Sequence, residues 1–159
     1  MASEKVIKQK EEAVKKLAED LKDAKLILLT DYRGITVEDA TKLRAELRES
    51  NSEYRVIKNN IIKRALDLNG ESGLDDLLEG PTALITNNED YLAPAKAIYN
   101  FTKDHDFYKI KGGIIEGKVM TAEEIITLAK LPSRQELLAQ LAGALLGNIT
   151  KLAVALDAV

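Results

Sequence analysis

The spacing of apolar residues along the chain alternates between two periods, and that alternation predicts its elements. Ile7, Val14, Leu17 and Leu21 fall near one helical face between residues 4 and 23, with Lys5, Lys8, Lys10, Lys15 and Lys16 mostly elsewhere. "KLILLT" (25–30) is a short continuous apolar run, the pattern of a strand buried on both faces. "YRGI" (32–35) reads as a turn. Thr36 then opens a helix with Asp39 at the capping-box position and a stripe of Val37, Ala40, Leu43 and Leu47. "EYRVI" (53–57) is a second strand. Asn59 or Asn60 is a good N-cap for a helix with Ile61, Ile62, Ala65 and Leu66 on one face, ending at Gly70. "SGLDDLLEG" (72–80) is a short helical turn and "PTALIT" (81–86) a third strand. Asp90 to Thr102 is a further helix, with Pro94 either in its first turn or breaking it. "FYKIKGGIIEGKV" (107–119) is a fourth strand leading into a hairpin. "TAEEIITLAKL" (121–131) is a helix with a Thr121–Glu124 capping box.

Strand–helix–strand, an insertion, then strand–helix–strand predicts an α+β fold over residues 1–131. The expected core is a mixed four- to five-stranded sheet with packed helices, ferredoxin-like, with a helical insertion. Pro132 marks a boundary. Residues 133–159 open on a third capping box, Ser133 to Glu136, and differ from everything before them. Leu138, Leu141, Leu145, Ile149, Leu152 and Leu156 recur at helical steps of three and four, and the other faces are mostly Ala and Gly. This predicts a protruding helix, with Gly147-Asn148 as the place for a break.

Composition narrows the chemistry. With 45% hydrophobic and 31% charged residues, the chain reads as an ordinary folded protein, and the absence of cysteine removes disulfides and thiolate sites. "MASEKVIKQKEE" lacks the apolar run of a secretory signal, so a cytoplasmic protein is expected. The single histidine, His105, reads as a surface turn residue and leaves no histidine pair for a metal, so neither metal nor cofactor is expected. "GGIIEGKV" (112–119) fits the spacing of a phosphate loop, but Val119 supplies no hydroxyl for magnesium and Glu116 would face the phosphates. It reads better as a glycine-rich hairpin. Acidic pairs at helix starts complement the helix dipole. No catalytic residue and no small-molecule substrate are expected.

Charge points instead to binding. The net charge is -3, yet residues 1–68 carry 15 basic against 13 acidic side chains. Residues 54–66, "YRVIKNNIIKRAL", carry four basic side chains and no acidic one. Arg55 and Lys58 precede a helix start whose asparagines can donate to phosphate or ribose oxygens, and Lys63 and Arg64 follow on its first turns. "YRG" (32–34) adds a ring, a guanidinium and a glycine. Both segments follow carboxyl ends of strands, so one sheet edge can hold them together. The plain alternative is a capped helix with solvated lysines. The tail is either folded back on the domain, inserted in a membrane, or covered by partner helices. Burying Lys151 in a membrane centre would cost about 2.5–3.5 kcal/mol, and a partner helix laid along the seam fits best.

"LLTDYRGITVEDATKLRAELRES", "YRVIKNNIIKRAL", "LEGPTALI" and the Pro132-Ser133 junction with its apolar helix resemble the bacterial large-subunit ribosomal stalk protein L-ten family, in order and over nearly the whole chain. The resemblance implies a ribosomal scaffold without catalytic residues. Its amino-terminal domain would bind large-subunit ribosomal RNA beside ribosomal protein L-eleven. Its last helix would carry dimers of the acidic protein L-seven/L-twelve, which recruit translational GTPases. Carried onto this chain, the RNA face draws on Tyr32, Arg33, Gly34, Lys58, Asn59, Asn60, Lys63 and Arg64, with Arg55, Lys5 and Lys8 beside them. The partner seam is Leu138, Leu141, Leu145, Ile149, Leu152 and Leu156, with Ala142 and Gly143 allowing close approach. A tail split at Gly147-Asn148 leads to an expectation of two bound dimers. The runner-up reading is a cytoplasmic interaction module that uses its helix and binds no RNA.

Overall fold

The computed structural model describes residues 3–71, 73–132 and 134–158. Its elements are α1 (Glu4–Asp23), β1 (Leu26–Asp31), α2 (Val37–Glu49), β2 (Ser52–Val56) and α3 (Asn59–Asn69). A 3-10 turn follows at Asp75–Leu77, then β3 (Ala83–Asn87), α4 (Leu92–Asp104), β4 (Lys109–Ile115), β5 (Lys118–Thr121), α5 (Ala122–Lys130) and α6 (Arg134–Asp157). The five strands form one sheet in the order β2-β3-β1-β4-β5. This contains the ferredoxin-like order expected of two interleaved strand–helix–strand units. The sheet is not mixed: every neighbouring pair is antiparallel. β1 and β2 do run parallel, as a helical crossover requires, but β3 lies between them.

β1 is the centre of the molecule. Leu26, Ile27, Leu28 and Leu29 are all buried, and burying each such side chain contributes about 1.5–3 kcal/mol. Their alternation separates two cores. Ile27 and Leu29 join Leu84, Ile114, Val14, Leu17 and Leu21 of α1, and Ile62 and Leu66 of α3. Leu26 and Leu28 join Ile85 and Ile115, Leu43 and Leu47 of α2, Ile98 of α4 and Ile125 of α5. Helices therefore cover both faces. Asn69 Nδ2 ties α3 to α1 by donating to the Ala18 carbonyl (3.0 Å).

Several local expectations hold. Thr36 caps α2 through the Asp39 N–H (3.2 Å), and Thr121 with Glu124 completes a capping box on α5. Gly70 ends α3 at φ 75°. Pro94 lies in the first turn of α4, where its missing N–H costs no helical bond. "GGIIEGKV" is the β4–β5 hairpin, with Glu116 and Gly117 both at positive φ across a two-residue turn, so the phosphate-loop reading is gone.

Others are corrected. The N-cap of α3 is Lys58, with no side-chain bond, and both asparagines lie inside the helix. Val37 is 86% exposed, and Ile7 is exposed as well, because the first turns of α1 run past the core. The Ser133 cap lies outside the described residues. α6 is continuous through Gly147 and Asn148, so the expected break is absent. α6 rises from the domain with its apolar side chains in the open: Leu138, Leu145, Leu152 and Leu156 are all more than half exposed.

Because α6 buries almost nothing, removing residues 134–159 should shift the thermal midpoint of the remaining domain by less than about 2 °C. Loss of cooperative unfolding in that truncated chain would show instead that the domain depends on the helix.

Candidate nucleic-acid interface

The parallel course of β1 and β2 places their carboxyl ends at one side of the sheet, and the loop entering β3 lies between. That loop, Glu79–Thr82, joins the two sequence motifs. Asn59 Nδ2 donates to the Gly80 carbonyl (2.7 Å), and Thr82 Oγ1 donates to the same oxygen (3.3 Å). Gly80 has φ 70°, and a Cβ there would collide with the Arg33 guanidinium. Tyr32, Lys58, Asn59 and Gly80–Thr82 line one shallow cleft of about 280 Å³. The "YRG" and "IKNN" segments thus stand together, as the strand-end argument expects.

The loop is itself held by Lys111. Its ammonium donates to the Glu79 carbonyl, to the Pro81 carbonyl (3.0 Å) and to Thr82 Oγ1 (3.0 Å). Burial lowers its pKa from the ordinary lysine value; Asp31 opposes that shift, Arg33 adds to it and Glu79 opposes it. Lys111 points there because of a bulge. Leu29 pairs with Gly112 and Thr30 with Ile110, leaving Lys111 as the extra residue of β4. Below it, Thr30 Oγ1 and the Tyr108 hydroxyl share a buried hydrogen bond of 2.7 Å, and burial raises the Tyr108 pKa.

The basic side chains fall into two groups. Arg33 Nε lies 3.6 Å from Asp31. Arg55 pairs with Asp20 (2.9 Å) and with Glu53, and Lys63 with Asp75 (3.8 Å). Lys58 and Arg64 are exposed and make no ion pair among the described residues, and the same holds for Lys5 and Lys8 on the outward turns of α1. Asn60 is exposed, whereas Asn59 has one amide donor committed to Gly80. Tyr32 is half-buried against the second core. Gly34, at φ 78°, seats its turn on Phe107; a Cβ would stand 3.4 Å from that ring.

A second, larger cleft of about 580 Å³ adjoins this edge between α1 and α3. It brings Lys10 to Lys58, Asn60 and Arg64 over Val14, Val56, Ile57 and Ile61. Lys10 and Lys111 are absent from the expected set. Lys111 had a signal, a charge inside the apolar strand "YKIKGGII". Lys10 had none, being one of six lysines on a helix whose rotation against α3 no local pattern supplies.

His105 is not a plain surface residue. Its ring stacks at a tilt on Phe101 (4.4 Å between centroids), and Nε2 lies 3.8 Å from Asp39, joining the ends of α4 and α2. Among the described residues no cluster of side chains could hold a metal ion.

α6 offers apolar side chains on every face, since Leu137, Leu146 and Val154 lie outside the expected seam. By length and composition, Gln135–Asp157 could cross a membrane, with a mean hydropathy of 1.5 and none of it buried. Lys96 reaches Glu136 at 4.0 Å at its base.

Comparison with known proteins identifies the family. The sequence matches the family Ribosomal protein L10 over residues 5–103, and Ribosomal protein uL10 C-terminal region over residues 131–159. The chain belongs to the ribosomal protein uL10 family. Large ribosomal subunit protein uL10 of Staphylococcus epidermidis is 42% identical over 154 residues, covering 97% of this chain and 93% of the relative. That of Bacillus cereus is 43% identical over 155 residues, covering 98% and 93%. Membership makes this a structural ribosomal protein.

In this uL10 member, Lys111→Met should remove three bonds to the Glu79–Thr82 loop. The expected result is a loss of about 1–2 kcal/mol on thermal unfolding and faster amide exchange at residues 79–83. Unchanged exchange there would show that the loop holds its shape without the ammonium.

Proposed function

We propose that this chain forms the base of the large-subunit stalk in the bacterial cytoplasm. The edge built from Tyr32–Gly34, Lys58–Asn60 and Arg64 binds large-subunit ribosomal RNA, beside ribosomal protein L-eleven. α6 carries dimers of the acidic protein L-seven/L-twelve, which engage GTP-bound translation factors. The observation that supports this reading is the pairing of two unlike surfaces in a uL10 family member: an edge with unpaired cations, and an uncovered apolar helix at the other end of the chain.

Each part contributes in a definite way. Lys58 and Arg64 supply charge that no carboxylate offsets, and neutralising phosphates there releases counterions from the RNA. The Gly80 loop fixes Asn59 and with it the first turn of α3. Arg33, Arg55 and Lys63 shape the surface through their carboxylates, and exposed pairs of this kind are weak enough for RNA to compete with them. For the partner, the seam from Leu138 through Leu141, Ala142, Leu145, Ile149 and Leu152 to Leu156 provides anchors, and Gly143 allows a helix to come close. The 24 residues of α6 span about 36 Å. With no break at Gly147, this length alone supports a count of two dimers.

Lys58→Ala combined with Arg64→Ala should weaken binding to a large-subunit ribosomal RNA fragment. It should also reduce the slope of log affinity against log salt by about 2. Arg55→Ala combined with Lys63→Ala should change that slope by less than half as much. Equal slopes for both pairs would contradict this assignment, and an unaltered chain that captures L-seven/L-twelve without binding RNA would favour a helix-mediated interaction module.

A further inference from the structure

The larger cleft between α1 and α3 has a composition that a phosphate-tracking edge does not need. Its floor is aliphatic: Val56 is 49% exposed, and Ile57 and Ile61 are only partly covered by the core beneath. Its rim is basic, with Lys10 on one wall and Lys58 and Arg64 on the other. Among the described residues no acidic side chain lines it, and none of these three cations makes an ion pair. Its volume of about 580 Å³ falls within the ~300–1,000 Å³ range of small-ligand sites.

We propose that this cleft receives one unstacked nucleotide of the bound RNA, its base on the Val56–Ile57–Ile61 floor and its flanking phosphates on Lys10, Lys58 and Arg64. The inference rests on the RNA-binding reading above and assigns that site a ligand. A regular RNA duplex presents phosphates and riboses to a protein and keeps its bases stacked inside. An exposed aliphatic floor between unpaired cations gains nothing from such a surface. A splayed base, with an apolar face and a charged backbone on either side, matches both features at once. Asn60 stands at the same cleft with an exposed side-chain amide, able to donate to and accept from a base edge. The adjoining cleft, which shares Val14 and Arg64, sets Glu11 and Asp67 beside Lys15, so its charges are balanced and the run of cations without acidic neighbours extends from the Lys58 edge to Lys10.

The test uses the full chain and a large-subunit ribosomal RNA fragment carrying photoreactive 4-thiouridine at its unpaired positions. Crosslinks from one such position should map to peptides containing both Lys10 and residues 56–64. Lys10→Ala should weaken binding and lower the salt slope by about 0.7, the value for one single-stranded phosphate contact. Lys103→Ala, an exposed lysine on α4 on the opposite face of the sheet, should leave both unchanged. Val56→Asn replaces part of the apolar floor, at an exposed strand end, with an amide that the base would have to desolvate, and should weaken binding about tenfold at every salt concentration, with the slope kept. Binding with crosslinks confined to other surfaces, and with Lys10→Ala matching the unaltered protein, would overturn the inference while leaving the RNA-binding reading in place. Failure of the unaltered chain to bind the fragment would remove that reading and the inference together.

Discussion

Backbone close to backbone, with no room for a side chain, joins the core of this protein to its edge. At Gly113 a Cβ would run into the Ile27 carbonyl oxygen and the backbone of Leu28. β4 can therefore lie against the central strand only with glycine there. Next to it, Gly112 takes φ 156°, and the ladder then takes in one extra residue, Lys111. That extra residue reverses which face the preceding side chains meet, so Tyr108 and Ile110 enter the second core while the Lys111 ammonium swings onto the Glu79–Thr82 loop. The loop then fixes Asn59 and bears on Arg33. A packing constraint in the middle of the sheet is in this way passed to the surface proposed to meet RNA.

The charge pattern gains meaning from three dimensions. Residues 54–66 contain no carboxylate, yet two of their four cations find one elsewhere: Arg55 at Asp20 of α1 and at its strand neighbour Glu53, Lys63 at Asp75 of the 3-10 turn. The segment excludes acid; its surroundings do not. What remains without a counter-charge is narrower, Lys58 and Arg64, and the fold adds Lys10 to them across a cleft. Net charge and local composition both miss this selection, because it depends on which helices pack together.

The fold was legible wherever a local rule and the tertiary packing agree. The continuous run Leu26–Leu29 marks a strand buried on both faces, Gly70 a helix end, and Thr121 with Glu124 a helix start. Errors arose where packing overrides the rule. Asn59 has the chemistry of a cap, but its amide is drawn to Gly80, and Lys58 is the N-cap of α3 instead. Gly147-Asn148 carries a breaker's composition, but neither residue forces a helix open. Antiparallel pairing throughout the sheet depends on β3 inserting between β1 and β2, which strand–helix–strand order alone leaves undecided. The candidate site was readable as two motifs at strand ends. The loop that binds them together and the lysine that holds that loop lie 20 to 80 residues away, beyond any spacing argument.

Two surfaces are proposed to divide the labour, one edge of the sheet for RNA and α6 for partner helices. Hydrogen–deuterium exchange of the chain with and without a large-subunit ribosomal RNA fragment tests this division most directly. Slower exchange is expected at residues 32–34, 58–64 and 79–82, with α6 unchanged. Protection on α2, α4 or α6, with the Lys58 edge unaltered, would contradict it.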